Sequence, residues 1–85
     1  MRLSFTKIFI RGYRKLPKEL QEAVDKQLQL LLANPKHLSL QIKKMNDPRD
    51  IWEGRITQGY RFTFHVEGDI YLLRKVGTHD MLRKP

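Results

Sequence analysis

Apolar side chains recur along this chain with two different periods. At residues 2–6, Leu3 and Phe5 alternate with polar neighbours, which predicts a short strand. From Lys7 the spacing changes. Phe9, Tyr13 and Leu16 fall at i, i+4 and i+7, one face of a helix over residues 7–16, and Thr6 is placed to cap it. Gly12 weakens that helix by about 1 kcal/mol relative to alanine, and the alternative is a first strand that runs on through Ile8 and Ile10. The next helix is marked more strongly. Pro17 suits a first helical position, Leu20, Val24, Leu28, Leu31 and Leu32 make an apolar stripe, and Lys18, Glu22 and Lys26 form a ladder on the exposed side. Asn34-Pro35 stops it.

Beyond that helix the period becomes two. Leu38, Leu40 and Ile42 alternate with Ser39, Gln41 and Lys43, which predicts a strand over residues 38–44. Asn46-Asp47-Pro48 reads as a turn, and further strands follow over residues 51–56, 60–66 and 70–76. The stripe of the long helix has only the sheet to bury against. The pattern therefore predicts one α+β domain over residues 1–85, with an N-terminal strand and two helices packed on a mainly antiparallel four-stranded sheet.

The hairpin after Ile51 can be read residue by residue. Trp52 and Ile56 share a face with Tyr60, Phe62 and Phe64 only if Ile56 stands opposite Tyr60. That leaves the loop Thr57-Gln58-Gly59, with Gly59 where such loops enter the left-handed region. The same register sets Gly54 against Phe62, Trp52 against Phe64 and Arg55 against Arg61. Like charges directly opposite are destabilising in a sheet, so the two arginines imply an anion between them, unless they splay into solvent. The register around Glu67-Gly68-Asp69 leaves either Arg74 or Lys75 on the polar face beside Arg61.

Charge sharpens this picture. The 85 residues include 17 Lys+Arg against 9 Asp+Glu, a net charge of +8 and a pI near 10.1. So basic a domain commonly meets nucleic acid or an acidic partner. Absence of Cys excludes a disulfide scaffold and a thiolate metal site and suits a reducing compartment. No stretch approaches the ~20 apolar residues that span a bilayer, and no charged start leads into an apolar segment, so the cytoplasm is the expected location and no membrane is expected as a partner.

The candidate chemistry lies at the end of the last strand, in Gly77-Thr78-His79-Asp80. With Val76 near Tyr60, His79 lands at the same end of the sheet as Arg55 and Arg61. Asp80 is placed to orient it, and Glu53 shares the face of Arg55. RNA brings its own nucleophile, the 2′-hydroxyl. Cleavage needs a base for that proton, cations for the phosphorane charge and an acid for the leaving 5′-oxygen, all available from imidazole, arginine and carboxylate without a metal. A lone C-terminal histidine is often inert. His-Asp stands alone here, without a second ligand cluster, so neither a metal nor another cofactor is expected. His37 reads as a loop residue. His65 lies on the polar face toward the far end of its strand, as a substrate contact at most. Trp52, Phe62 and Phe64 read as core, and Tyr60 suits core or substrate.

These pieces together resemble the RelE/ParE superfamily of toxin–antitoxin toxins. The matching segments are Phe9 to Leu16 followed by Pro17, the Leu-rich helix ending in Asn34-Pro35, Ile51-Trp52-Glu53-Gly54-Arg55-Ile56-Thr57, Tyr60-Arg61-Phe62 and Val76-Gly77-Thr78-His79. They cover nearly the whole chain and look most like the YoeB and YafQ branches. The resemblance implies a RelE-like fold and a ribosome-dependent mRNA endonuclease held inactive by a cognate antitoxin. Ribosome, mRNA and an acidic or amphipathic antitoxin segment are the implied partners, with homo-oligomers only through the antitoxin complex. It implies acid–base catalysis by the histidine at the position of His79 and phosphate stabilisation by the arginine at Arg61. Arg55 falls where related members carry a basic residue. Lys43, Lys44, Arg74, Lys75, His65 and Tyr60 complete the expected substrate-contacting set. The chain also departs from the pattern. Asp80 stands where many members have an aromatic residue, Trp52 and Gly54 replace lysines, and an upstream catalytic glutamate has no counterpart unless Glu53 substitutes. Two other readings share the basic surface: a ParE-like topoisomerase (gyrase) inhibitor, and an inactive binding module.

Overall fold

The computed structural model describes residues 1–80 and 82. Its elements run β1 (Arg2–Phe5), α1 (Lys7–Arg14), α2 (Lys18–Ala33), one 3-10 turn (Leu38–Leu40), β2 (Lys43–Lys44), β3 (Trp52–Arg55), β4 (Tyr60–Glu67) and β5 (Ile70–Thr78). The sheet has five strands in the order β1-β5-β4-β3-β2. The expected four strands are thus joined by β1, which pairs parallel with β5 while every other pair is antiparallel.

Thr6 decides between the two readings of the N-terminal segment. Its hydroxyl accepts from the Phe9 N–H at 3.0 Å and donates to the Arg74 carbonyl at 2.7 Å. One side chain thereby caps α1 and ties it to β5, and residues 8–10 are helical. Gly12 sits where α1 meets β5. A Cβ there would lie 2.9 Å from the Val76 carbonyl oxygen, so the helix penalty of glycine permits a close backbone approach. Pro17 is the N-cap of α2 and not its first helical residue, because its carbonyl accepts from Leu20 and Gln21 while its own backbone is extended.

Both helices lie on one face of the sheet. Phe9, Val24, Leu28 and Leu31 form a single buried cluster with Phe62, Phe64, Tyr71, Leu73 and Val76, joined by Leu40 and Ile56. Each such side chain contributes about 1.5–3 kcal/mol when fully buried. Leu20 and Leu32, at the margins of the predicted stripe, are half-buried.

The predicted strand at residues 38–44 is corrected. His37 Nδ1 accepts from the Ser39 N–H at 3.1 Å, starting a tight helical turn, and Gln41 ends it in the left-handed region at φ 44°. Leu38 is left 87% exposed while Leu40 is buried. Only Lys43–Lys44 remain as strand, opposite Glu53 and Trp52. The β3–β4 register is as expected: Trp52 faces Phe64, Gly54 faces Phe62 and Arg55 faces Arg61. Gly59, however, does not enter the left-handed region; among the glycines only Gly68 does, at φ 60°. The hairpin is closed instead by Ile56 and Thr57 N–H groups on the Tyr60 carbonyl and by Arg61. Between β4 and β5 a bulge at Thr63/Phe64 shifts the register, so Lys75 opposes Thr63 on the face of Arg61 and Arg74 is the extra residue.

Candidate active site

The second face of the sheet carries Lys43, Glu53, Arg61, Thr63 and Lys75 at paired positions. It is less open than its polar sequence suggests. Glu53 and Thr63 are buried, and so are Ile51 and Leu82, which lie outside the main core cluster. The Leu82 N–H donates to the carbonyls of Thr78 and His79. A buried carboxylate requires pairing. Glu53 Oε1 has it, lying 3.8 Å from Lys43 Nζ and 3.7 Å from Arg61 Nε.

Lys43, Lys44, Met45, Asn46, Glu53 and His79 line one shallow cleft of about 310 Å³. The structure thus brings His79, Glu53 and both lysines together, with Arg61 reached through Glu53. His79 is exposed at the cleft. Among the described residues Asp80 makes no hydrogen bond or ion pair with it. Lys44 also pairs with Asp50 at 2.8 Å.

Arg61 is heavily engaged. Its Nη1 reaches the carbonyls of Thr57 at 2.5 Å and of Gln58 and Tyr60 at 3.0 Å, so the guanidinium holds the β3–β4 loop while Nε faces Glu53. This explains how two opposed arginines coexist: Arg61 turns to the loop and the carboxylate, and Arg55 lines a separate cleft with Lys26, Gln27 and His37. His65 is elsewhere too. Its Nε2 lies 2.9 Å from Glu67 Oε1, and it lines a third cleft with Lys44, Arg49 and Trp52. Tyr60 is half-buried against the core. The Arg74 backbone carbonyl receives Thr6, and its charge acts on Asp47.

Two polar features escape a reading of periodicity. Gln27 is buried on the apolar stripe of α2, where its Nε2 donates to the Arg55 carbonyl at 2.9 Å. β2 pairs only with Trp52 and Glu53, so Arg55 lacks a strand neighbour on that edge and Gln27 replaces it. A glutamine three residues after Val24 on a buried face was the available signal. Asp47 and Arg49 form the other. Asp47 accepts the Arg49 backbone N–H at 2.8 Å and its side-chain Nε and Nη2 at 3.0 and 2.9 Å. This fork holds the Asp47 carboxyl down at about 2 and pushes the Arg49 guanidinium up. It fixes the turn beside the cleft.

Solved structures share this architecture. YafQ from E. coli strain BL21(DE3) superposes with a TM-score of 0.80 at 10% identity, covering 95% of this chain and 96% of that one. The fold is that of the RelE, YoeB and YafQ toxins. A YoeB/ParE toxin from Agrobacterium tumefaciens gives a TM-score of 0.77 at 17% identity, over 93% and 99% of the two chains. The RelB-RelE antitoxin-toxin complex from Methanococcus jannaschii gives 0.74 at 20%, over 92% of each. Neither a protein-family model nor a curated protein matches the sequence. Among the described residues of this RelE-like chain, no helix is long and apolar enough to cross a membrane.

Proposed function

We propose that this protein is the toxin of a type II toxin–antitoxin system, acting as a ribosome-dependent mRNA endonuclease. The observation that carries this reading is the cleft where His79 meets Lys43, Lys44 and the Glu53–Arg61 pair, on a fold shared with RelE, YoeB and YafQ toxins. An exposed imidazole can both accept and donate a proton, which suits proton transfer at a phosphodiester. In the proposed step the 2′-hydroxyl oxygen attacks phosphorus and gives its proton to His79. The P–O5′ bond breaks, the 5′-oxygen leaves with a proton from water, and the products are a 2′,3′-cyclic phosphate and a 5′-hydroxyl. Lys43 and Lys44 stabilise the charge on the phosphorane oxygens. Glu53 holds the cations in place, with Arg61 as its positioning partner. The open cleft does little to align RNA by itself, so the ribosome supplies the remaining order. The partner is an antitoxin, and the protein acts in the cytoplasm.

Primer extension on a reporter mRNA in a reconstituted translation reaction tests this. New 5′ ends are expected with the unmodified protein, only on translated message, and not with His79→Ala. Cleavage that survives His79→Ala removes the catalytic assignment. Intact message and normal translation remove the endonuclease. The engagement of Arg61 by loop carbonyls favours one second reading, a ParE-like toxin that blocks a topoisomerase without hydrolysis. DNA replication would then stop before translation, and His79 would be dispensable.

A further inference from the structure

Lys43, Lys44 and Arg49, which line the clefts of His79 and His65, each stand beside a carboxylate: Glu53, Asp50 and Asp47 respectively. The cleft of Arg55 is different. It encloses about 680 Å³ between α2, the 3-10 turn and the end of β3, and it receives Lys26, His37 and Arg55 from those three elements. Among the described residues no Asp or Glu lines it. Nor, among those residues, do the Arg55 guanidinium and the Lys26 ammonium have a hydrogen-bond or ion-pair partner. Arg55 is half-buried, and a charge partly withdrawn from water needs an answering group.

A buried amide holds this cleft in shape. Gln27 Nε2 donates to the Arg55 carbonyl at 2.9 Å and to the Ser39 carbonyl at 3.4 Å, tying α2 to β3 and to the 3-10 turn. The turn also orients His37. Its Nδ1 accepts from the Ser39 N–H at 3.1 Å, so Nε2 carries the ring hydrogen and is a further donor. Ala23, Leu30 and Ile56 supply apolar wall, and Leu38, between His37 and Ser39, is 87% exposed. A few converging polar groups over an apolar lining, in a space of about 300–1,000 Å³, is the composition of a small-molecule site.

We propose that this cleft binds the terminal phosphate of a nucleotide: Arg55 and Lys26 meet the phosphate, His37 Nε2 donates to it, and the nucleoside lies against Ala23, Leu30 and Leu38. Charge selects the ligand. A phosphomonoester carries about −1.5 to −2 near neutral pH, which matches two fixed cations. A phosphodiester of a nucleic-acid backbone carries a single charge and leaves one cation unanswered. Inorganic phosphate answers the cations and leaves the apolar wall uncovered. The same terminal phosphate occurs on a free mononucleotide and on a 5′-phosphorylated RNA end. It is absent from the 5′-hydroxyl end that the cleavage proposed above would release. Among the described residues this cleft and the His79 cleft have no lining residue in common, so the inference stands whether or not the protein cuts RNA.

The test follows chemical shifts of the full chain at constant ionic strength. The probes are adenosine 5′-monophosphate, adenosine, inorganic phosphate and two RNA oligonucleotides that differ only in a 5′-phosphate. The monophosphate is expected to move Lys26, His37, Leu38 and Arg55, and to bind more tightly than inorganic phosphate and at least about tenfold more tightly than adenosine. Only the phosphorylated oligonucleotide should move Arg55. If it binds more tightly than the monophosphate, the natural ligand is an RNA end; the reverse order makes it a free nucleotide, and both orders support the site. Arg55→Gln and Lys26→Gln remove side chains that make no polar contact within the described fold, so both variants should fold, and each should weaken the monophosphate about tenfold. Lys7→Gln removes the same charge from α1 and should leave binding unchanged. Adenosine or inorganic phosphate binding as well as the monophosphate, equal Arg55 shifts with the two oligonucleotides, equal weakening by Lys7→Gln, or no shift at Arg55 and His37 would each overturn the inference.

Discussion

Replacing Gly54 with alanine places a methyl group where Phe62 already stands. An ideal Cβ at residue 54 lies 2.3 Å from Phe62 Cζ, 2.5 Å from Cε1 and 3.0 Å from Cε2, whereas ordinary contact begins near 3.4 Å. The ring must retreat by about 1 Å, a displacement that a close-packed interior resists. Phe62 has no exposed surface, and its ring stacks on Phe64 with centroids 5.7 Å apart. Overpacking of this kind costs about 2–3 kcal/mol, which in a domain of this size lowers Tm by roughly 10–20 °C. Thermal unfolding followed by circular dichroism reads the effect directly. The cycle with Phe62→Leu sharpens it, because a shorter side chain vacates the ring's edge and Gly54→Ala should then be nearly neutral. A Tm change below about 3 °C for Gly54→Ala in the unmodified background, or an equal loss in both backgrounds, would refute the reasoning.

Other perturbations reach different parts of the molecule. Gln27→Ala leaves the Arg55 carbonyl without its donor and should cost about 1–3 kcal/mol in urea unfolding; an unchanged midpoint would show that the edge of β3 has another partner. Leu31→Asp puts an unpaired charge at a position with no exposure, at a cost of several kcal/mol that approaches the whole stability of a small domain, so far-UV circular dichroism should show an unfolded chain; a cooperative transition would contradict the packing of α2 on the sheet. The Asp47–Arg49 clasp should depend on pH in one direction. Because the Asp47 carboxyl is held down at about 2, its stabilising effect is fully present above the ordinary carboxylate range, near 4, and is lost as pH falls toward about 2. A carboxyl carbon NMR titration of Asp47 with a midpoint near 4 would remove the clasp.

The parts of this fold that could be read from sequence are those where one local signal is unambiguous. The demand that Trp52, Phe62 and Phe64 share a face fixed the β3–β4 register, whereas the spacing after Thr6 left a helix and a longer first strand both open until the Thr6 cap decided for α1. Alternation misled at Leu38, Leu40 and Ile42 because a capping His37 and a left-handed Gln41 produce the same spacing from a 3-10 turn. Gly59 misled because a side chain, Arg61, does the closing that a glycine backbone usually does. The polar face was harder still. Arg55 and Arg61 are opposite one another, as read, but which way each guanidinium turns depends on Glu53 and on loop carbonyls that no periodicity encodes. Ile51 and Leu82 are buried outside the main core cluster, and Gln27 reaches across from a helix. What was legible of the candidate site was the strand positions of its members; the division of those residues among separate clefts was not.

The pairing of β1 with β5 bears on when this protein becomes itself during synthesis. Arg2 to Phe5 are made well before their strand partners Ile70 to Leu73, and Thr6 waits for the Arg74 carbonyl. Such long-range closure comes late, because the loop between the ends must be ordered first. A nascent chain on the ribosome therefore lacks both the strand that seats β1 and, beyond it, His79. A fold that closes between β1 and β5 leaves β1 without its partner until β5 has emerged.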